Sequence, residues 1–176
     1  MENIFFKKSS LKYCGQNVII GKTVRIRKPE ECIIGDNTII DDFTYISCAV
    51  EIGSNCHIAS NVNISGGKGR FKMGDYSTLS SHVSVHCASS DYVQTSLDLP
   101  SVPENERFGG FIEDVEIGKY VVVGSHSTIL PGVILPDKIA CGAYTLLTKQ
   151  QYEELSLYVG IPARFLKKRI EVFKGK

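Results

Sequence analysis

Aliphatic residues recur at every sixth position along two long stretches of the chain. The first stretch contains Ile34, Ile40, Ile46, Ile52, Ile58 and Ile64, with Ile20 and Ile26 before it and Met73, Leu79 and Val85 after it. The second contains Ile117, Val123, Ile129, Leu135, Cys141 and Leu147. A period of six matches neither the 3.6 residues of an amphipathic helix nor the simple alternation of a strand. A short fixed repeat of this kind predicts a β-helix built from seventeen six-residue units.

Each unit offers two positions to the interior. The first residue is aliphatic, the second is often glycine, as in Gly35 and Gly53, and the fifth is small or β-branched, as in Thr38 and Cys56. Strands this short satisfy their backbone groups only by pairing with equivalent strands in neighbouring coils, about 4.8 Å away. Three units per coil would close a triangular prism of just under six coils around one core.

The repeat divides the chain into regions of a single domain spanning residues 1–176. Residues 1–17 lead in, residues 18–87 and 115–148 form coils, residues 88–114 form an inserted loop, and residues 149–176 form a tail. Extra residues near 28–31 and 66–70 predict bulged corners that keep the coil count. A loop as long as 88–114 usually has a function. Within the tail, the basic segment after Pro162 predicts a short helix over 163–173 that caps the coil.

Composition narrows the functional class. The net charge of +1 gives no electrostatic reason to bind nucleic acid, so a small-molecule partner is expected. The six cysteines include no CxxC pair, which suits reduced thiols in a cytoplasmic protein. The first residues lack the order of a signal peptide, and no apolar run approaches eighteen residues. We therefore expect a cytoplasmic protein without a membrane span.

From about residue 18 to residue 169, the unit pattern resembles the hexapeptide-repeat acyltransferases. The resemblance implies a left-handed parallel β-helix, although most parallel crossovers are right-handed. It also implies a homotrimer with active sites between subunits. The segment Tyr158–Phe165 is similar to the Gly-x-Pro-Ala-[Arg/Lys] signature of members that use coenzyme A. Acetyl-CoA is therefore the implied co-substrate.

Several residues match the coenzyme-binding positions of that family. Cations suit the phosphates of coenzyme A, and the resemblance assigns this role to Lys149, Arg164 and Lys167 beside Pro162. The alternative interpretation is an ordinary solvated basic surface. By the same resemblance, backbone amides would line the pantetheine slot near Gly124, Ser125, Gly142 and Ala143.

Acyl transfer needs a base for the acceptor, and histidine is the natural one near neutral pH. In galactoside and maltose acetyltransferases the catalytic histidine opens the inserted loop, whereas the corresponding register of this chain holds Ser90. The segments His57–Ala59, Leu79–Ser84 and Ser89–Tyr92 resemble sugar O-acetyltransferases of surface-polysaccharide pathways. On that basis His57 is the predicted base and His86 the second candidate. Asp91 is predicted to orient the imidazole or to bind a sugar hydroxyl.

The other two histidines have a structural explanation. Counting units in threes places His82 and His126 at the same corner position as Asn61, which predicts a stacked ladder on one edge of the solenoid.

The sequence thus predicts an acetyl-CoA-dependent O-acetyltransferase acting on a sugar or glycoside, without a metal. N-acetylation of a nucleotide-linked amino sugar is the closest alternative. Two further alternatives are a zinc enzyme like the gamma-class carbonic anhydrases and a non-catalytic scaffold. The first is disfavoured because His82 and His86 are four residues apart rather than five. The second would be consistent with the loss of the loop histidine.

Overall fold

The computed structural model describes residues 2–172, which form a parallel β-helix of six complete coils and one strand of a seventh. Before the inserted loop the strands are β1 Tyr13–Cys14, β2 Ile19–Ile20, β3 Arg25–Ile26, β4 Cys32–Ile34, β5 Ile39–Ile40, β6 Tyr45–Ile46, β7 Ala49–Ile52, β8 His57–Ile58, β9 Asn63–Ser65, β10 Arg70–Met73, β11 Thr78–Leu79 and β12 Ser84–His86. The loop contributes β13 Ala88–Ser89 and β14 Phe111–Ile112. The remaining strands are β15 Val115–Ile117, β16 Val122–Val123, β17 Thr128–Ile129, β18 Ile134–Leu135, β19 Ala140–Cys141, β20 Leu146–Leu147, β21 Ser156–Val159 and β22 Arg164–Lys168.

Each coil gives one strand to each of three sheets. The first sheet has the order β1-β4-β7-β10-β15-β18, the second β2-β5-β8-β11-β16-β19-β21-β22, and the third β3-β6-β9-β12-β17-β20. Residues one coil apart pair in register, so Ile58 lies between Ile40 and Leu79. The predicted six-residue period is therefore confirmed. Strand β1 lies ahead of the first predicted unit and β21 beyond the last.

The aliphatic column fills the interior. Ile34, Ile40, Ile46, Ile52, Ile58 and Ile64 are each at most 1% exposed. Polar residues at the fifth positions are also buried, and their hydroxyl groups find acceptors in the next coil. Thr38 Oγ1 donates to Gly53 O at 2.8 Å, and Ser77 Oγ donates to Gly118 O at 2.9 Å. These hydrogen bonds offset the cost of burying a hydroxyl group.

The corners confirm the predicted histidine ladder. Asn61, His82 and His126 all adopt left-handed backbone conformations, with φ near 60°. The rings of His82 and His126 stack at 4.6 Å, and Tyr144 extends the stack at 4.8 Å from His126. These two imidazoles therefore serve as a ring stack on the edge of the solenoid.

Both irregular corners keep the coil count, as expected. Residues Pro29–Glu31 form a 3₁₀ helix before β4, and two further 3₁₀ helices lie at Lys8–Ser10 and Glu104–Glu106. After the glycine-rich corner at 66–69, Arg70 pairs with Ala49 and the ladder resumes. Gly66 and Gly67 both have positive φ there, a conformation that glycine adopts at little cost.

The inserted loop is a folded arm. Strands β13 and β14 pair in antiparallel fashion at its base, and Leu97 pairs with Phe108 further out. Tyr92 and Val93, between these two pairings, are 90% and 95% exposed. The loop therefore projects from the point where β12 leaves the third sheet.

The predicted C-terminal helix is wrong for the described part of its range. Residues Arg164–Lys168 form β22, which runs antiparallel to β21, and Phe173 lies outside the described residues. The physical reason is that the last strand of the second sheet presents unpaired backbone groups. An extended segment satisfies them, and this outweighs a modest helix propensity. The tail caps the coil as expected, but as a strand.

Candidate active site

The candidate site follows the corner that joins the second sheet to the third, which we call the acyl corner. One residue per coil directly follows the second-sheet strand there, giving the row Gly21, Asp41, Ala59, Ser80, Gly124 and Gly142. Each backbone N–H of this row donates to the coil above, from Asp41 N to Ile58 O at 2.8 Å up to Gly142 N to Tyr158 O at 2.9 Å. The row is therefore a straight track along the solenoid.

The upper half of the acyl corner holds four of the predicted coenzyme residues. Gly124 and Ser125 lie in one coil, and Gly142 and Ala143 lie in the next. A Cβ on Gly124 would lie 2.5 Å from Ala143 N, so a larger residue at this position would force the local backbone to shift. The turn containing Pro162 covers the last coil, since Leu146 N donates to Gly160 O and Ala163 N donates to Leu146 O.

The predicted cations divide between two places. Arg164 and Lys167 are exposed on β22, where they pair with Val159 and Leu157 at the end of the second sheet. Lys149 lies past the third sheet and forms an ion pair with Glu113 at 2.8 Å. Within one chain, the structure therefore brings two of the three predicted cations to the top of the second sheet. The third is held by a carboxylate at the exit of the loop.

His57 makes a contact that the sequence analysis missed. Its Nε2 lies 2.8 Å from Asp41 Oδ2, and both side chains are 44% exposed. The contact arises because Ile39, eighteen residues earlier, pairs with His57, and Asp41 follows two positions later. Within one chain, the carboxylate beside the imidazole is therefore that of Asp41 and not that of Asp91. Counting back one coil from His57 reaches Ile39, and this carboxylate follows two positions later.

Asp91 instead engages its own loop. Its Oδ1 accepts hydrogen bonds from Val93 N at 2.8 Å and Gln94 N at 3.1 Å. It lies beyond the third sheet, whereas His57 lies on the second. One chain therefore does not bring the two predicted catalytic residues into contact.

His86 lies on the outward face of the third sheet, at the root of the loop. Its Nδ1 lies 3.1 Å from Ser65 Oγ in the coil below. Burial lowers the pKa of His86 from its ordinary value, because removing water disfavours the cation. His86 is thus a neutral imidazole near neutral pH, on a different face from His57.

The cysteines are free thiols, and five of the six are buried. Burial raises the pKa of Cys32 to about 11 and that of Cys141 to about 12, so both stay protonated. Across residues 2–172, no group of three or more His, Cys, Asp or Glu side chains is placed to hold a metal ion. In the same described range, none of the helices has the length and apolarity needed to cross a membrane.

Comparison with known proteins places these features in a family. Residues 31–66 match the family described as bacterial transferase hexapeptide (six repeats). Over 172 residues the chain is 33% identical to dTDP-4-amino-4,6-dideoxy-D-glucose acyltransferase of Escherichia coli, covering 96% of this chain and 88% of that protein.

Solved structures give the same result. An N-acyltransferase from Bacillus cereus, in complex with dTDP and 3-hydroxybutyryl-CoA, is 33% identical with a TM-score of 0.87, covering 96% of this chain and 91% of that one. A maltose O-acetyltransferase from Clostridium difficile 630, 19% identical with a TM-score of 0.60, covers 93% of this chain and 73% of that one and shares the fold. The chain belongs to the hexapeptide-repeat transferases, and its coils form the left-handed parallel β-helix of that family.

Proposed function

We propose that this protein transfers an acyl group from acyl-CoA to the amino group of a nucleotide-linked amino sugar. The observation that carries the proposal is the nearly full-length match to the Escherichia coli dTDP-4-amino-4,6-dideoxy-D-glucose acyltransferase. A second structure of the Bacillus cereus enzyme contains dTDP-4-amino-4,6-dideoxyglucose and coenzyme A, and its chain is 31% identical to this one. These findings favour N-acylation, the alternative in the sequence analysis, over O-acetylation of a simple sugar.

The missing loop histidine supports an amine acceptor. A hydroxyl group attacks a thioester only when a base removes its proton. A primary amine with a pKa of about 8, the value of an α-amino group, already has a deprotonated fraction at neutral pH. Ser90 at the loop position is therefore compatible with an amino sugar and poorly suited to a sugar hydroxyl.

We place the proposed reaction at the acyl corner. In the proposed arrangement the pantetheine arm lies along Gly142 and Gly124, with Arg164 and Lys167 above them for the phosphates. The amine nitrogen attacks the thioester carbonyl, a C–N bond forms and the C–S bond breaks. His57 takes the proton from nitrogen, and the coenzyme leaves as a thiolate that is then protonated. Small residues along the track leave room for the arm.

Asp91 is proposed to hold the acceptor amine. Solved structures of the Bacillus cereus enzyme include substitutions at a serine and at an aspartate ten residues further on. Ser81 and Asp91 have this spacing. The two chains match over 97% of this chain and 93% of the other, so corresponding residues should lie at similar distances from the N-terminus. Ser81 and Asp91 are the serine and aspartate that meet this condition. Ser81 was not among the residues chosen from the sequence.

A trimer is part of the proposal. Ser81 lies at the acyl corner before β12, and Asp91 lies beyond the other end of the same strand. Because the two residues lie at opposite ends of the strand within one chain, we propose that a second copy supplies one of them. The trimer implied by the family resemblance would do this.

The test is a transfer assay with two classes of acceptor. Purified protein is incubated with acetyl-CoA or 3-hydroxybutyryl-CoA and either dTDP-4-amino-4,6-dideoxyglucose or maltose, and products are identified by mass spectrometry. We expect an acylated amino sugar that survives alkaline hydroxylamine, because this reagent cleaves esters and leaves amides intact. A product cleaved by hydroxylamine, or acylation of maltose alone, would contradict the proposal.

A further inference from the structure

We propose that Asp41 is a positioning residue for acyl transfer. By accepting a hydrogen bond from His57 Nε2, it fixes the imidazole tautomer in which Nδ1 carries the lone pair that takes the proton. This role rests on the proposed function, since it requires His57 to be the proton acceptor.

The contact between Asp41 and His57 is built into the backbone. Asp41 N donates to Ile58 O at 2.8 Å, and Ile58 is the residue directly after His57. Ile39 N donates to Cys56 O at 2.9 Å on the other side of the imidazole. The two coils are therefore locked in register on both sides of the pair. The side chains meet because of this register.

The architecture of the acyl corner does not itself require an acid at position 41. The other members of the row are Gly21, Ala59, Ser80, Gly124 and Gly142, all small. The structural carboxylate of this corner is the next residue, Asp42. Its Oδ1 accepts hydrogen bonds from Thr23 N at 2.8 Å and Thr23 Oγ1 at 2.7 Å, which lower the pKa of Asp42. Asp42 joins two coils, whereas the carboxylate of Asp41 faces the imidazole.

The hydrogen bond between Asp41 and His57 determines which imidazole nitrogen carries the proton. An ionised carboxylate only accepts hydrogen bonds, so the nitrogen facing Asp41 carries the proton. In a neutral imidazole the other nitrogen is then the acceptor. When Nδ1 takes a proton from the attacking amine, the carboxylate stabilises the resulting cation. The Asp41 position lies on the same track as Gly124 and Gly142, so the pair sits in line with the proposed pantetheine slot.

The experiment compares adjacent carboxylates. Asp41→Asn, Asp41→Glu and Asp42→Asn are assayed with the amino-sugar acceptor, and the tautomer of His57 is read by ¹⁵N NMR in the full-length protein. We expect Asp41→Asn to lower kcat by about 10–100-fold with little change in KM, less than for a buried triad aspartate because this pair is half exposed. Asp41→Glu should recover part of the loss. In wild type, the NMR spectrum should show the proton on Nε2.

Asp42→Asn is the matched control. It should lower thermal stability while leaving kcat and the His57 tautomer unchanged. If Asp42→Asn does not fold, Thr23→Ala replaces it, because this variant removes the hydrogen bond from Thr23 Oγ1 to Asp42 Oδ1 and keeps the backbone one. A double variant, Asp41→Asn with His57→Gln, should lose no more activity than His57→Gln alone, because the two residues act as one unit.

The outcomes separate the role of Asp41 from the proposed function. The role of Asp41 is wrong if Asp41→Asn turns over the amino sugar as fast as wild type does, or if the proton in the wild-type protein lies on Nδ1 of His57. Either result would leave the proposed function standing. A wild-type protein that acylates no amino sugar would overturn the function and, with it, the role of Asp41.

Discussion

A methyl group added to Gly124 tests how closely the coils stack at the acyl corner. The Cβ of Gly124→Ala would lie 2.5 Å from Ala143 N and 2.6 Å from Gly142 C. Ordinary contact begins at 3.4 Å, so the shortfall is about 0.9 Å against backbone atoms. Relief by separating the coils would carry the 2.8 Å hydrogen bond from Gly124 N to Cys141 O past the usual limit of about 3.2 Å.

The expected cost follows from these two effects. Overpacking of a close contact costs about 1–3 kcal/mol, and one lost backbone hydrogen bond costs about 1 kcal/mol. Gly124→Ala should therefore lower the free energy of unfolding by about 2–4 kcal/mol. For a chain of this length, that corresponds to a fall in Tm of about 4–16 °C.

Gly142→Ala, in the same row one coil further on, is the matched control. Its Cβ would meet the Val159 side chain at 2.9 Å, and that side chain can move. We expect a loss below about 1 kcal/mol. Urea denaturation followed by circular dichroism measures both variants. Equal losses for the two variants, or a loss below about 1 kcal/mol for Gly124→Ala, would refute the reasoning that backbone contact between coils decides the cost.

Three further predictions concern the core, the pH dependence and the coenzyme. Ile58→Ala should lower the free energy of unfolding by about 2–5 kcal/mol and Ile58→Val by about 0.5–1.5 kcal/mol; similar urea midpoints for Ile58→Ala and wild type would contradict a packed aliphatic column. Because burial lowers the pKa of His86, the unfolded chain binds its proton more readily, so stability should be lost as pH falls below about 6.5. His86→Gln should flatten this dependence between pH 5 and 8, and an unchanged slope would exclude His86 as its source. Glu113→Gln should tighten binding of coenzyme A by about 2–5-fold in calorimetry by releasing Lys149, and Lys149→Ala should weaken it; no change in either variant would remove Lys149 from the coenzyme site.

The coiled architecture could be predicted because every unit repeats the same physical requirement. A residue such as Ile46 has to pack on Ile26 below and Ile64 above, so the period is visible in the sequence itself. The histidine ladder could be predicted for the same reason. Strand β22 could not, because its conformation depends on the unpaired edge of β21 rather than on its own residues.

The candidate site was only partly predictable. Gly124 and Gly142 carry the repeat, so their alignment at one corner follows from counting units. The pairing of Lys149 with Glu113 does not, because the arm between β12 and β15 breaks the regular spacing. Asp41 is an intermediate case: a count of one coil from His57 comes within two residues of it, but the sequence around His57 does not indicate it. Contacts across an insertion need the structure.

The antiparallel direction of β22 has a consequence for behaviour at high concentration. Parallel coils of this kind can in principle be stacked without end. The unpaired strand edges of the last coil can therefore pair with strands of another molecule. By reversing the chain at the end of the second sheet, β22 presents an antiparallel edge there, on which a further parallel coil cannot pair in the same register. A protein shortened before this strand should polymerise end to end into fibres.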